Sequence, residues 1–195
     1  MLSGIILAAG ESSRMKGKIK ALLYIDGVTF IEKIVKDMLD SQIDEIFVVL
    51  GAYYNEIAKY ISPYPVEILR NDDWQSGQLS SLRVALRNLS PDSEGMIFTL
   101  VDHPLVRVST YVKLKERWMG SRDKIVLPLY NGRKGHPTIF PSSLYNELLY
   151  GQLPNGARDI LYKHRDLIDY VPVDDIGVVR DIDTEEDYKS INTAR

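Results

Sequence analysis

Four cationic side chains, Arg14, Lys16, Lys18 and Lys20, alternate through seven residues just behind Gly10, in a chain whose formal net charge is −3. They follow the apolar stretch GIILAA, which reads as a short buried strand. A turn of this kind can aim successive backbone N–H groups into an anion nest, and a glycine lets the backbone approach its ligand. Ser12 and Ser13 add hydroxyl donors. Phosphate binding is the chemistry suggested, although an ordinary solvated loop carries such charge runs too. Two phosphate motifs do not fit. A dinucleotide fingerprint needs glycine where Ser12 and Met15 stand, and a Walker A loop needs four residues between its glycines, whereas six separate Gly10 from Gly17.

Two carboxylates are candidates to work with such a loop. Asp102 ends the apolar run MIFTLVD, and Asp183 lies at a junction before the acidic stretch TEEDY. In open α/β sheets, strand carboxyl ends form the ligand edge, and carboxylates with phosphate oxygens suit Mg²⁺. Taken alone, Asp102 is equally a turn former before His103-Pro104, and Asp183 an acid answering a helix dipole. His103, His136 and His164 have no metal-ligand spacing, and no G-x-S-x-G elbow supports acyl transfer. With no cysteine in the chain, disulfides, thiolate metal sites and a thiol nucleophile are excluded.

The elements that must position these residues are legible as alternating periodicities. GIILAA, EIFVVLG, VEILRN, MIFTLVD and KIVLPLY read as buried strands, and TFIEKIVKDMLDS and GQLSSLRVALRNL as amphipathic helices. Thr29 with Glu32 forms an expected capping box at the first helix. Further on, GRKGHPTIFP is expected to be extended, SSLYNELLYG and NGARDILYKH to be short helices, and LIDYVPV to be a strand. VVRDIDTEEDYKSI is expected to run from a strand into a helix boxed by Thr184 and Asp187. The pattern predicts an α/β fold, a mainly parallel sheet with helices on both faces, as a single domain over 1–195.

The chain has 195 residues, 45% hydrophobic and 26% charged, as in soluble globular proteins. Its acidic balance argues against a nucleic-acid partner, and no segment is long and apolar enough for a membrane partner. No leader pattern precedes the first apolar run, so a cytoplasmic location is the expectation.

Five stretches in order carry a resemblance. LAAGESSRM with its following lysine and ALL is similar to the L-A-A-G-x-S-x-R-M-G-x-x-K signature of the molybdenum cofactor cytidylyltransferase-like nucleotidyltransferases. Lys16 is one extra residue here, so Lys20 falls where the signature lysine belongs. NDDWQSGQLSSL resembles N-x-x-W-x-x-G-M-x-x-S-L at Asn71, Trp74, Gly77, Ser81 and Leu82. TLVDHP resembles the Asp-x-Pro strand end, GRKGHP matches G-R-x-G-H-P, and DIDTEED is similar to D-I-D-T-P-E-D. In LPNGAR, Pro154 replaces the acid of G-D-x-G-A-R.

The resemblance implies a Rossmann-like nucleotidyltransferase fold and transfer of CMP from CTP, or of another nucleotide, to the terminal phosphate of a molybdopterin-type acceptor. Ala9 resembles the cytidylyltransferase loop, where the guanylyltransferase branch has glycine. By the same inference Arg14, Lys20 and Asp102 are catalytic. Leu7, Ala8, Ala9, Gly10, Ser12, Arg14, Lys20, Asn71, Gly77, Ser81 and Asp102 bind the nucleotide. Gly135, His136 and Arg158 bind the acceptor, and Mg²⁺ is held by Asp102 with Asp183, or with Asp181 in its place. A molybdenum hydroxylase is the implied recipient of the product. The alternatives are a nucleotidyltransferase using a sugar phosphate and a non-catalytic carrier of the molybdenum cofactor.

Overall fold

The computed structural model describes residues 1–192, so positions 193–195 of the expected domain lie outside the described residues. Its strands are β1 (Leu2–Ala8), β2 (Tyr24–Ile25), β3 (Val28–Thr29), β4 (Glu45–Leu50), β5 (Glu67–Arg70), β6 (Gly95–Leu100), β7 (Ile125–Tyr130), β8 (Arg133–Lys134), β9 (Thr138–Pro141) and β10 (Ile168–Pro172). Its helices are α1 (Phe30–Asp40), α2 (Tyr54–Ile61), α3 (Gln78–Leu86), α4 (Val108–Met119), α5 (Tyr145–Tyr150), α6 (Ala157–Lys163) and α7 (Glu185–Asn192).

The main sheet runs β10-β7-β9-β6-β1-β4-β5, with β8 beside β7. β6, β1, β4 and β5 are mutually parallel, as are β10 and β7. β9 is antiparallel to both β6 and β7 and joins the two parallel groups. The α/β architecture, mostly parallel with helices on both faces, is therefore as expected.

The two-sided cover explains the strand composition. In β1, Leu2, Ile6 and Ala8 pack with α1, α2 and α4, while Ile5 and Leu7 pack with α3, α5 and α6. Successive side chains alternate faces, so burying both demands the continuous apolar runs seen in β1 and β4. The capping box of α1 is formed: Glu32 Oε2 accepts the Thr29 N–H at 3.0 Å, and Thr29 Oγ1 accepts the Glu32 N–H at 3.4 Å.

A third apolar cluster positions the site. Met15, Leu23, Ile25, Phe30, Ile182 and Ile191 pack together and clamp the cationic loop, the small β2-β3 hairpin and α7 to one another. Here the expected strand VVRDID is absent. Ile176–Val179 forms a 3-10 turn, its Gly177 N–H held by Asp175 Oδ1 at 3.0 Å. Beyond it, Ile182 donates to the Asp102 carbonyl at 2.8 Å. That bond and the one from the His136 N–H to the Val178 carbonyl hold the segment against the sheet by isolated contacts, with no ladder pairing. The expected Thr184 and Asp187 box is present, with Thr184 N–H donating to Asp187 Oδ2 at 2.8 Å.

Candidate active site

The cationic loop leaves β1 at its carboxyl end and turns back through Ser12, whose φ of 55° lies in the left-handed region. Ser12 Oγ accepts the Lys20 N–H at 3.1 Å, which ties the two ends of the loop together. Fully buried Met15 pins its middle. The loop thus frames a cleft of about 420 Å³ at the carboxyl edge of β1 and β6. Leu7, Ala8, Ala9, Gly10, Ser12 and Arg14 line one wall, Gly77 and Ser81 of the α3 start line another, and Lys20, Asp102 and Asp183 close the group.

The charges in this cleft meet at one point. Lys20 Nζ donates to Asp183 Oδ1 and lies 3.5 Å from Asp102 Oδ2, while Arg14 Nη1 lies 2.7 Å from Asp183 Oδ2. Burial pushes the Asp102 carboxyl up from its ordinary range, and the Asp183 and Asp181 charges add to that push against His103 and Lys20. Burial acts upward on Asp183 as well. There the hydrogen bond from Lys20 and the Lys20 and Arg14 charges outweigh it and hold the carboxyl below its ordinary range. Asp181, the other candidate acid, faces the neighbouring cavity instead.

Asp102 Oδ1 is buried and makes no hydrogen bond. A carboxylate with an orphaned oxygen, next to a second carboxylate now satisfied by an ammonium, fits a cation as its missing partner. Among the described residues no group of three or more His, Asp or Glu forms a cage, so a divalent ion here would need phosphate oxygens or water to complete its shell.

The opposite wall is built by α3. Gly77 precedes it with φ 97°, a conformation that favours glycine, and no side chain caps the helix start. Gln78 and Ser81 of its first turn border the cleft, where the N–H groups at a helix start can meet an anion. Asn71 stands beside this wall, next to Trp74 and Glu11. It does not line the cleft: its Nδ2 donates to Ser80 Oγ at 2.8 Å and Ser81 Oγ at 2.9 Å, and its Oδ1 accepts the Asp73 N–H at 3.0 Å. Asn71 braces the wall from behind, while Ser81 reaches the cleft.

Gly135, His136 and Arg158 come together in a second cavity of about 930 Å³, which shares Gln78 with the first. Gly135 is required by close approach, because a Cβ there would lie 1.9 Å from the Val178 carbonyl oxygen. The His136 N–H donates to that same carbonyl at 2.9 Å. The His136 ring packs against Phe98 and His103, with centroids 5.3 and 5.0 Å away, and its buried Nδ1 has no partner. Burial and the His103 charge push its pKa down to about 3, so the ring is neutral. Buried His103, 3.7 Å from Asp102 Oδ1, stands between the two cavities. At the start of α6, where Pro154 replaces the expected acid, Asp159 reaches back to accept the Asn155 N–H at 2.9 Å.

Several wall residues escaped the sequence argument. Tyr162, Arg165 and Tyr170 border the second cavity, with Arg165 over the Tyr162 ring at 5.3 Å and Lys134 over Tyr170 at 5.1 Å. The spacing of four places Tyr162 one turn beyond Arg158 on α6, a signal that could have found it, whereas Arg165 lies past the helix in a separate 3-10 turn. Trp74, which lines the first cleft, was marked only as a match within its motif.

No helix among the described residues is long and apolar enough to cross a membrane. Over 193 residues the chain is 29% identical to nicotine blue oxidoreductase of Paenarthrobacter nicotinovorans, covering 95% of this chain and 93% of that one. Over 185 residues it is 28% identical to molybdenum cofactor cytidylyltransferase of Escherichia coli strain K12, covering 94% and 92%. The solved structure of a nucleotidyl transferase from Methanothermobacter thermautotroptrophicus superposes with a TM-score of 0.83 at 25% identity, covering 100% of this chain and 97% of that one. The family described as MobA-like NTP transferase domain matches residues 4–167, and with the loop, cleft and sheet order above, the chain belongs to that family.

Proposed function

We propose that this protein transfers CMP from CTP to the terminal phosphate of a molybdopterin-type acceptor and releases pyrophosphate. The observation that carries the proposal is the Lys20 ammonium held between Asp102 and Asp183 beside Arg14, under a loop that can cradle phosphates. In the reaction an acceptor phosphate oxygen bonds to the α-phosphorus of CTP. The bond from that phosphorus to the bridging oxygen breaks, and pyrophosphate leaves with the electron pair.

A phosphate monoester has its second pKa near about 6, so the nucleophile is already ionised at neutral pH and no general base is needed. The work left to the protein is in-line positioning and neutralisation of charge. Arg14 and Lys20 exchange their carboxylate partner for triphosphate oxygens, the loop N–H groups add donors, and the open start of α3 lies opposite. Gly77 and Ser81 border the nucleoside side of the cleft, and the neutral His136 ring lines the second cavity on the acceptor side. Asp102 and Asp183 would hold Mg²⁺, which when bound supplies Lewis-acid polarisation of phosphoryl oxygens. CTP is chosen on Ala9 and on the relative named as a cytidylyltransferase.

Hydride transfer, raised by the relative named as an oxidoreductase, finds no dinucleotide fingerprint after β1, where Ser12 and Met15 occupy glycine positions. A labelling experiment separates the chemistries. With CTP labelled at the α-phosphorus, the label should move onto the acceptor and none should appear in pyrophosphate. Free CMP forming at the same rate without acceptor would refute transfer.

A further inference from the structure

The four cations of the loop divide into two pairs. Arg14 and Lys20 turn inward onto Asp183 in the cleft, whereas Lys16 and Lys18 turn outward onto the first residue of α7. Lys18 Nζ lies 2.8 Å from Glu185 Oε1, and Lys16 Nζ lies 3.6 Å from Glu185 Oε2. The Glu185 side chain is 18% exposed, against 49% and 68% for Lys18 and Lys16, and Lys16 Nζ also lies 3.9 Å from Glu186 Oε1. Neither Glu185 nor its two lysines line the nucleotide cleft.

Backbone geometry points the same way. Lys16 has φ 50° and Gly17 φ 85°, two consecutive left-handed residues that swing the loop outward toward α7. Lys16 is the residue by which this loop exceeds the L-A-A-G-x-S-x-R-M-G-x-x-K pattern, and Glu185 stands where D-I-D-T-P-E-D has proline. The two departures face each other. The start of α7 is in turn fixed by Asp187, which accepts the Thr184 N–H at 2.8 Å and the Asp183 N–H at 3.2 Å.

We propose that Glu185 is a positioning residue for the nucleotide, a latch that holds the outer half of the cationic loop on α7 while the inner half changes partners. The proposal rests on the nucleotide assignment above. When triphosphate draws Arg14 and Lys20 away from Asp183, the loop loses its inner tether. The Glu185 contacts with Lys16 and Lys18 then keep the N–H groups aimed into the cleft and reduce the ordering that binding must supply.

The sign of the effect separates this role from simple electrostatics. Glu185 is an anion near a site for a more strongly anionic ligand, so through its field alone its removal would tighten nucleotide binding. The latch predicts the opposite.

The test compares wild type, Glu185→Gln and the charge exchange Lys18→Glu with Glu185→Lys. Calorimetric titration with Mg²⁺ and CTP gives the affinity, and amide hydrogen exchange of residues 12–20 without nucleotide gives the loop's order. Glu185→Gln should weaken CTP binding about three- to fivefold, in keeping with exposed ion pairs. It should raise KM with kcat unchanged and speed loop exchange, and the charge exchange should restore slow exchange. Unchanged or tighter binding by Glu185→Gln would overturn the role, and so would unchanged loop exchange. If wild type binds no nucleoside triphosphate, the functional assignment fails, whereas the exchange measurement still decides whether the latch exists.

Discussion

Lys20 and Asp183 are joined by a direct hydrogen bond although they stand 163 positions apart, and the same ammonium lies 3.5 Å from Asp102 Oδ2. One cation thus gathers carboxylates delivered by the end of β6 and by the approach to α7. Both the loop and α7 are seated by the small core around Met15 and Ile182.

Replacing Lys20 with Ala removes the charge that the proposed reaction sets next to the phosphates. The expected loss in kcat is about 10²- to 10³-fold, the scale of deleting one preorganised transition-state donor. Pyrophosphate release measures it, and an unchanged circular dichroism spectrum separates it from unfolding.

Asp102→Asn and Asp183→Asn each leave one of the two carboxylates that the proposal sets beside Mg²⁺. The Mg²⁺ concentration for half-maximal activity should rise in both, by more than the roughly tenfold that loss of even an outer partner costs a metal site. A magnesium titration of initial rates checks this. Equal requirements in variant and parent would remove these residues from the metal's shell.

Gly135→Ala forces a Cβ to within 1.9 Å of the Val178 carbonyl, so the β8-β9 segment must shift. The expected cost is about 1–3 kcal/mol, typical of overpacking. Urea unfolding gives the stability. KM for the acceptor should rise with little change in KM for CTP, because the displaced segment lines only the second cavity.

His136 has a folded pKa near 3 against an ordinary value of 6.5. Between these values the unfolded chain binds the extra proton, so the contribution of this residue is complete above pH 6.5 and is lost as pH falls toward 3. At pH 5 the loss is about 2 kcal/mol. Urea midpoints at pH 7.5 and 5 should separate for wild type and draw together for His136→Gln.

The strand runs and the two long amphipathic stretches were legible because burial on two faces leaves its mark in composition, as in β1 and β4. The cationic loop and Asp102 were legible because a strand end at the sheet edge is a general ligand position. Asn71 was placed at the nucleotide by its motif, yet a motif does not say whether an amide touches ligand or braces the two serines behind it. VVRDID reads as a strand by apolar content, but its backbone meets the Asp102 carbonyl and no ladder. Lys16 reads as one extra residue of the loop and Glu185 as part of the acidic stretch TEEDY, since nothing local announces a contact across the fold.

The central claim is tested most directly by pyrophosphate release from purified protein with Mg²⁺ and a molybdopterin-type acceptor, comparing CTP, GTP and ATP. The account predicts release that requires the acceptor, is fastest with CTP and falls about 10²- to 10³-fold in Lys20→Ala. Acceptor-independent release, equal rates with all three nucleotides, or full activity of Lys20→Ala would contradict it.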